Sequence, residues 1–472
     1  MRYVIAAYFT LIGIVATLPA YAANVENAVD FSCVGCNVIF LDIDLLRADS
    51  LRPGPSGTGV TPNIDEFFRN SIYFEDTSSS SGVTAISNTA TLTAREGHFT
   101  YYLLRNTFVD VPPQMPEKYL AFYGKFPTIA ETLAKAGYDT INANHGWYAG
   151  KQMLLNRGFA TYWGTGEPNS SQNEPAKVIR KTAELIRGKV NSTRPFFLLM
   201  RSEDLRGIPY RYPVNRKRLI DPKVAYLKGD STFVEVRYQL TREGKLREGY
   251  SSTELAKWMS AKTLSEYKSL ARSLYSQQLL FVDEELGKLF DALKEGHLLE
   301  KTIVVLYANH GDGLYDNGVP NHGVSYQSCV SVPLMILHPK VKKRLVISTP
   351  IQLIDLVPTI FDFLGTLPPS GVDRKSLQDV LRGTGFRSNA IYGVDKESQY
   401  VRLGKLKLIV WADRSKELYD LSVDPSEETN VADQNPQAVA TMESLLAEHS
   451  MEQIGKAAAM LKRYRLEKGI SD

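Results

Sequence analysis

Three apolar runs end in residues able to do chemistry. Asn37-Val-Ile-Phe-Leu-Asp42-Ile-Asp44 closes on two acids, Pro195-Phe-Phe-Leu-Leu-Met200 leads to Glu203 and Asp204, and Thr302-Ile-Val-Val-Leu-Tyr307 leads to Asn309 and His310. Carboxylates supply hard oxygen donors for a cation, and an imidazole moves protons near neutral pH. Asp42 and Asp44 are two residues apart and so share one face of a strand. Asp42, deeper in the run, is an unfavourable buried charge unless it is paired.

These residues need elements to bring them together. The three runs read as buried strands of a mostly parallel sheet. Helical patterns separate them: one starts at Pro62, one lies near Ile86–Thr93, one spans Phe126–Ala136 with a stop at Gly137, and a long one spans Tyr267–Lys294. Tyr138–Ala143 and Val332–Leu337 read as further strands, and Ile351–Leu364 reads as a helix. Strands alternating with helices imply βαβ units in an α/β fold. Ligands in such folds sit beyond the carboxyl ends of the strands, which is where the three polar pairs stand. From about residue 370 the pattern is shorter and more polar, with a strand pair around Ala390–Asp395 and Tyr400–Trp411 and a terminal helix from Pro436. Residues 207–260 are polar and irregular, as expected of a loop insertion or lid.

Composition narrows the function classes. Among 472 residues, 55 Lys and Arg face 52 Asp and Glu, a net charge of +3, so no basic footprint for nucleic acid exists. Residues 1–22 read as a secretory signal peptide: Arg2, an apolar run of about 16 residues from Tyr3 to Leu18, then Ala20-Tyr21-Ala22. The run is shorter than the ~20 residues of a spanning helix. Export to the periplasm or exterior, with no integral membrane segment in the mature chain, is therefore expected. Cys33 and Cys36 read as a local disulfide or a pair of structural thiols, since a metal site needs two further ligands and only Cys329 remains.

Six blocks in order resemble the sulfatase-like branch of the alkaline phosphatase superfamily. They are Asn37–Leu51, Thr61-Pro-Asn-Ile-Asp65, Phe281–Gly287, Asn309-His-Gly-Asp312 with Asn321-His-Gly323, Ile354–Thr359 and Leu418–Pro425. The resemblance implies an α/β, alkaline-phosphatase-like sandwich: a large, mostly parallel central sheet flanked by helices, plus a small C-terminal α+β subdomain. The expected division is a catalytic domain over 34–370 and a C-terminal subdomain over 371–472. The implied activity is metal-dependent hydrolysis of a sulfate or phosphate ester.

Carried onto this chain, the resemblance implies one divalent ion (Ca, Mn, Mg or Zn) on Asp44, Thr84, Asn309 and His310, with Asp42 behind. Thr84 takes the nucleophile position, where sulfatases carry the Cys or Ser that becomes formylglycine, and Asn88 stands in place of their Arg. Thr84-Ala-Ile-Ser87 is similar instead to the threonine motif of exported phosphoethanolamine transferases, and Thr84 also suits a helix N-cap. His322, Arg206 and His145 are expected to contact the ester, with Arg206 where two-metal relatives have a histidine. Arg47 is placed to hold the ester or a neighbouring carboxylate. Asn309, Leu45 and Arg206 stand where the family gathers acids or metal ligands, leaving a cation site with little negative charge.

The expected partner is an anionic ester: a sulfated or phosphorylated glycan, lipid or small molecule. Two other readings stay open, a non-catalytic protein that binds an anionic glycan or lipid head group through the basic segment from Arg201 to Arg218, and a phosphoethanolamine-type transferase.

Overall fold

In the computed structural model the described residues are 30–51, 60–107, 117–145, 153–164, 176–206, 261–319, 321–374, 376–383 and 390–470. The signal-peptide reading and the 207–260 insertion, with most of the basic segment, lie outside them.

A nine-stranded sheet organises the molecule: β1 (Asn37–Ile43), β2 (Ile72–Ser78), β3 (Asp139–Asn144), β4 (Thr161–Gly164), β5 (Phe196–Ser202), β6 (Thr302–Tyr307), β7 (Ser331–Leu337), β8 (Leu345–Ile347) and β9 (Ile351–Gln352). Their order is β4-β3-β5-β1-β6-β7-β2-β8, with β9 also on β2. From β4 to β6 neighbouring strands are parallel, and β7 alone runs against its neighbours β6 and β2. Strands β1, β5 and β6 are buried along their whole length, the continuous apolar character of a sheet covered on both faces.

The covering helices include α1 (Thr84–Thr93), α2 (Gly97–Thr107), α3 (Ile129–Lys135), α4 (Lys177–Arg187), α5 (Ala261–Glu295) and α6 (Leu356–Leu364). Local chemistry sets their ends. Thr128 and Glu131 form a capping box at α3, and Gly365 ends α6 in the left-handed conformation. Asp283 on α5 accepts hydrogen bonds from the amides of Asn63 and Ile64, tying the short helix Pro62–Phe67 to the long one.

A second, antiparallel sheet follows: β10 (Ile391–Val394), β11 (Ser398–Leu403), β12 (Leu406–Trp411) and β13 (Lys416–Asp420), with α7 (Pro436–Lys468) after it. The stretch read as one strand over Tyr400–Trp411 is a hairpin, turned at Gly404 with φ +61°. This sheet is bound to the large one by polar contacts. Arg402 grips both oxygens of Asp76 at 2.7 and 2.9 Å, and the Tyr400 hydroxyl donates to the Ser79 carbonyl at 2.6 Å.

Cys33 and Cys36 form a disulfide and Cys329 is a buried free thiol. Among the described residues no helix is long and apolar enough to cross a membrane.

Candidate active site

The parallel strands deliver their polar ends to one place. In the β1–β5 register Asp42 stands opposite Arg201, and the Asp44 amide donates to the Ser202 carbonyl at 2.9 Å. On the other side, the Asn309 amide donates to Asp42 Oδ1 at 3.2 Å. Ser79 and Ser87 both donate to the Asn309 carbonyl at 2.6 Å, fixing the turn that aims His310.

Thr84 opens helix α1, but Val83 is the N-cap residue and the Thr84 hydroxyl caps nothing. It points instead to the strand ends. Thr84 Oγ1 lies 2.9 Å from His310 Nε2, and His310 Nδ1 lies 2.9 Å from the Gly311 carbonyl. A carbonyl only accepts, so Nδ1 carries the proton and Nε2 presents a lone pair to the threonine. Burial lowers the His310 pKa to about 3, keeping the ring neutral. Arg206 donates through Nη2 to Thr84 Oγ1 at 3.0 Å and through Nε to Asp44 Oδ2 at 2.9 Å. The hydroxyl thus has a base on one side and a fixed positive charge on the other.

Behind it lies a dense ionic cluster. The Arg201 side chain is 2% exposed. Its Nη2 is 3.0 Å from Asp44 Oδ1, its Nε 3.2 Å from Asp42 Oδ2, and its Nη1 2.7 Å from Glu203 Oε1. With its amide oriented to satisfy its neighbours, Asn88 donates to Asp42 and accepts from Asn309 and Arg201. The two strand acids are driven apart. Burial raises Asp42 to about 7. Burial also opposes charge on Asp44, but Arg206 and Arg201 overcome it and hold that carboxyl well below the usual range.

Asp42, Asp44, Thr84, Arg206, Asn309 and His310 therefore converge. His322 joins at the rim, its ring stacked on His310 at 4.7 Å and its side chain 21% exposed. His145 arrives through its backbone, trading hydrogen bonds with Arg201, while its imidazole acts electrostatically on Asp204. Arg47 takes the carboxylate role: it pairs with Asp49 and Asp316 and donates to the Asp312 carbonyl. Asp204 is buried and accepts from the Ala176 amide and Ser202.

The expected divalent ion does not fit this donor set. Two of the expected ligand atoms, Asp44 Oδ1 and Asn309 Oδ1, are buried without a hydrogen-bond partner. But a calcium-type ion takes several oxygens at ~2.3–2.6 Å, and the charges nearest Asp44 are guanidinium nitrogens, Arg201 Nη2 at 3.0 Å as an ion pair and Arg206 Nη2 at 2.9 Å. Leu45, where the resembled family supplies a second acid, is buried and apolar. No group of three or more His, Cys, Asp or Glu side chains able to hold a metal occurs among the described residues.

The roles of two supporting residues escape a reading of the sequence. Arg201, read from the sequence only as the start of a basic anion-binding segment, is instead buried in β5, its side chain 2% exposed and ion-paired with Asp42, Asp44 and Glu203, so it cannot offer its charge at the surface. Asp395, just after β10, accepts from Ser81 Oγ at 2.6 Å, the Gly82 amide at 2.7 Å and Ser325 Oγ at 3.0 Å, and so braces the loop before Thr84. Nothing in the local sequence marks it.

Comparison with known proteins gives the same family twice. Residues 36–366 match the family model described as Sulfatase, and residues 316–454 match the model for the C-terminal part of N-sulphoglucosamine sulphohydrolase. The chain is 26% identical to arylsulfatase K of Mus musculus over 326 residues, 61% of this chain and 55% of the relative. It thus spans about half the length of the curated relatives it matches. Among solved structures, a 2-O GAG sulfatase aligns with TM-score 0.64 at 19% identity, over 89% of this chain and 92% of that one. The phosphonate monoester hydrolase of Agrobacterium radiobacter aligns with TM-score 0.63 at 17% identity, over 89% and 96%. At these identities the structures share the fold alone.

Proposed function

The chain belongs to the sulfatase family, and from that membership we propose that it hydrolyses an anionic sulfate or phosphate ester with Thr84 as nucleophile. The observation that carries this reading is the placement of Thr84 Oγ1 between His310 Nε2 at 2.9 Å and Arg206 Nη2 at 3.0 Å. The hydroxyl proton passes to His310 Nε2 as Oγ1 attacks sulfur or phosphorus. The bond to the leaving alcohol breaks, and the leaving oxygen takes up the proton held on His310 Nε2. A water then cleaves the Thr84 ester, releases sulfate or phosphate and restores the hydroxyl. Arg206 supports the charge that grows on the ester oxygens, and His322 faces the leaving side from the rim. Sulfatases generally depend on a divalent ion, but the residues here do not fit one, and no step is assigned to it.

A sulfated saccharide leads among substrates, supported by the match to N-sulphoglucosamine sulphohydrolase and the fold shared with a 2-O GAG sulfatase. The phosphonate monoester hydrolase on the same fold keeps phosphate esters in the panel. The export expected from residues 1–22 is compatible with a saccharide substrate outside the cell.

The test is turnover of aryl sulfate, aryl phosphate, phosphodiester and sulfated saccharide by wild type and Thr84→Ala. Activity in wild type that falls at least ~10³-fold in the variant, with an unchanged melting temperature, supports the reading. Activity surviving in Thr84→Ala removes threonine from the nucleophile role. Binding of sulfated saccharide without turnover in wild type points to the anion-binding alternative, which the missing second acid at Leu45 favours.

A further inference from the structure

We propose that the Arg201 guanidinium is a resident cation: it takes the place of a divalent ion against Asp42 and Asp44, so that this chain builds its anion site without bound metal.

The sheet itself delivers the charge. Parallel pairing sets Arg201 of β5 beside Asp42 of β1, and in-register residues on adjacent strands point to the same face. Three carboxylates then converge on one guanidinium. Asp42 faces Nε, Asp44 faces Nη2 and Glu203 faces Nη1, at 3.2, 3.0 and 2.7 Å. Arg206 takes the second oxygen of Asp44. A dication set against Asp44 would lie beside two positive groups that cannot lose their protons.

The surrounding departures fit this exchange. The residue after Asp44 is Leu45, buried with the core, which brings no oxygen donor to the site. Asn88 bridges Asp42, Asn309 and Arg201, so the amide serves the guanidinium cluster. The two arginines divide the work by exposure. Arg206, 29% exposed, reaches Thr84. Arg201, at 2%, never meets the mouth of the site and acts through Asp44, as a positioning residue.

The inference rests on the Thr84 reading for the use of the anion site, but its test does not depend on turnover. Full-length wild type is purified, its Ca, Mn, Mg and Zn content measured, and its melting temperature recorded in EDTA and with each ion added. Arg201→Lys and Arg201→Ser are treated alike. Wild type is expected to carry no stoichiometric metal and to melt at one temperature in all buffers. Arg201→Lys keeps the charge and melts close to wild type. Arg201→Ser uncovers Asp42 and Asp44, melts lower or fails to fold in EDTA, and is rescued by an added divalent ion. That rescue is what a merely structural arginine would not give. About one bound equivalent of metal in wild type, a metal-dependent rise in its melting temperature, or a serine variant that melts like wild type in EDTA overturns the proposal. Loss of activity in Thr84→Ala leaves every one of these readings untouched, so the two ideas fail separately.

Discussion

Asp395 accepts a hydrogen bond from the Gly82 amide at 2.7 Å, two residues before Thr84. The acid follows strand β10 of the small sheet, and the glycine belongs to the loop that enters α1. The same carboxylate holds Ser81 and, through its other oxygen, Ser325. The C-terminal sheet thereby helps to fix the loop that carries Thr84. Gly82 is needed here: a Cβ would stand 2.8 Å from the Val324 carbonyl oxygen, so a side chain would push apart the two loops that Asp395 joins.

Asp395→Asn is expected to lower kcat about tenfold or more with little change in KM. One of the three donors then faces an amide NH₂, and a buried unmatched donor costs roughly 1–3 kcal/mol. The measurement is kcat and KM on whichever ester wild type turns over, with urea unfolding alongside. A variant that loses stability but keeps wild-type kcat leaves Asp395 a purely structural residue.

His310→Gln is expected to lower turnover by ~10²–10⁴ while the protein stays folded. Glutamine keeps polar contact with Thr84 but cannot take its proton. Thr84→Ser, which keeps the hydroxyl at the same base, should retain most of the activity lost in Thr84→Ala. Equal turnover in wild type and His310→Gln removes the imidazole from the proton transfer.

Much of this site can be read from the chain because chemistry and periodicity coincide. An apolar run such as Asn37–Ile43 can only be a covered strand, and its trailing Asp44 must then lie at the sheet's carboxyl edge. Thr84 and His310 are placed by neighbouring motifs. Strands β2 and β8 stay hidden because Ile72–Ser78 mixes Glu75 and Asp76 with its apolar residues and is paired from distant segments. Arg201 and Asp395 stay hidden for a related reason. A charge is compatible with burial only when partners meet it, and those partners lie 159 residues away for Asp42 and Arg201 and 314 for Ser81 and Asp395.

Glu427→Gln is expected to destabilise the protein by ~3–5 kcal/mol. Lys407 and Glu427 form an ion pair at 2.7 Å with both side chains fully buried, and Glu427 also accepts from the Gln327 amide. Removing the negative partner leaves an ammonium that burial already drives toward its neutral form. Replacing both residues, as Lys407→Met with Glu427→Gln, should recover part of the loss. Urea unfolding of the two variants checks this, and a double variant no better than the single one shows that the charge is not the cause.

The stability of the large sheet should fall in mild acid through His338, a residue of the loop after β7. His338 Nε2 donates to the Phe31 carbonyl at 3.0 Å, and Nδ1 accepts from the Lys340 amide at 3.2 Å. The ring is therefore locked in its neutral form, and burial lowers its pKa to about 4 from an ordinary 6.5. The unfolded chain takes up the proton first as pH falls. The contribution is complete above pH 6.5 and is lost as pH drops through 6.5 toward 4. A shift of that size corresponds to at most about 3 kcal/mol. His338→Gln can copy both backbone hydrogen bonds without titrating. Urea unfolding between pH 7.5 and about 4.5 should show a shallower decline in the variant, and identical slopes would show that His338 does not carry the effect.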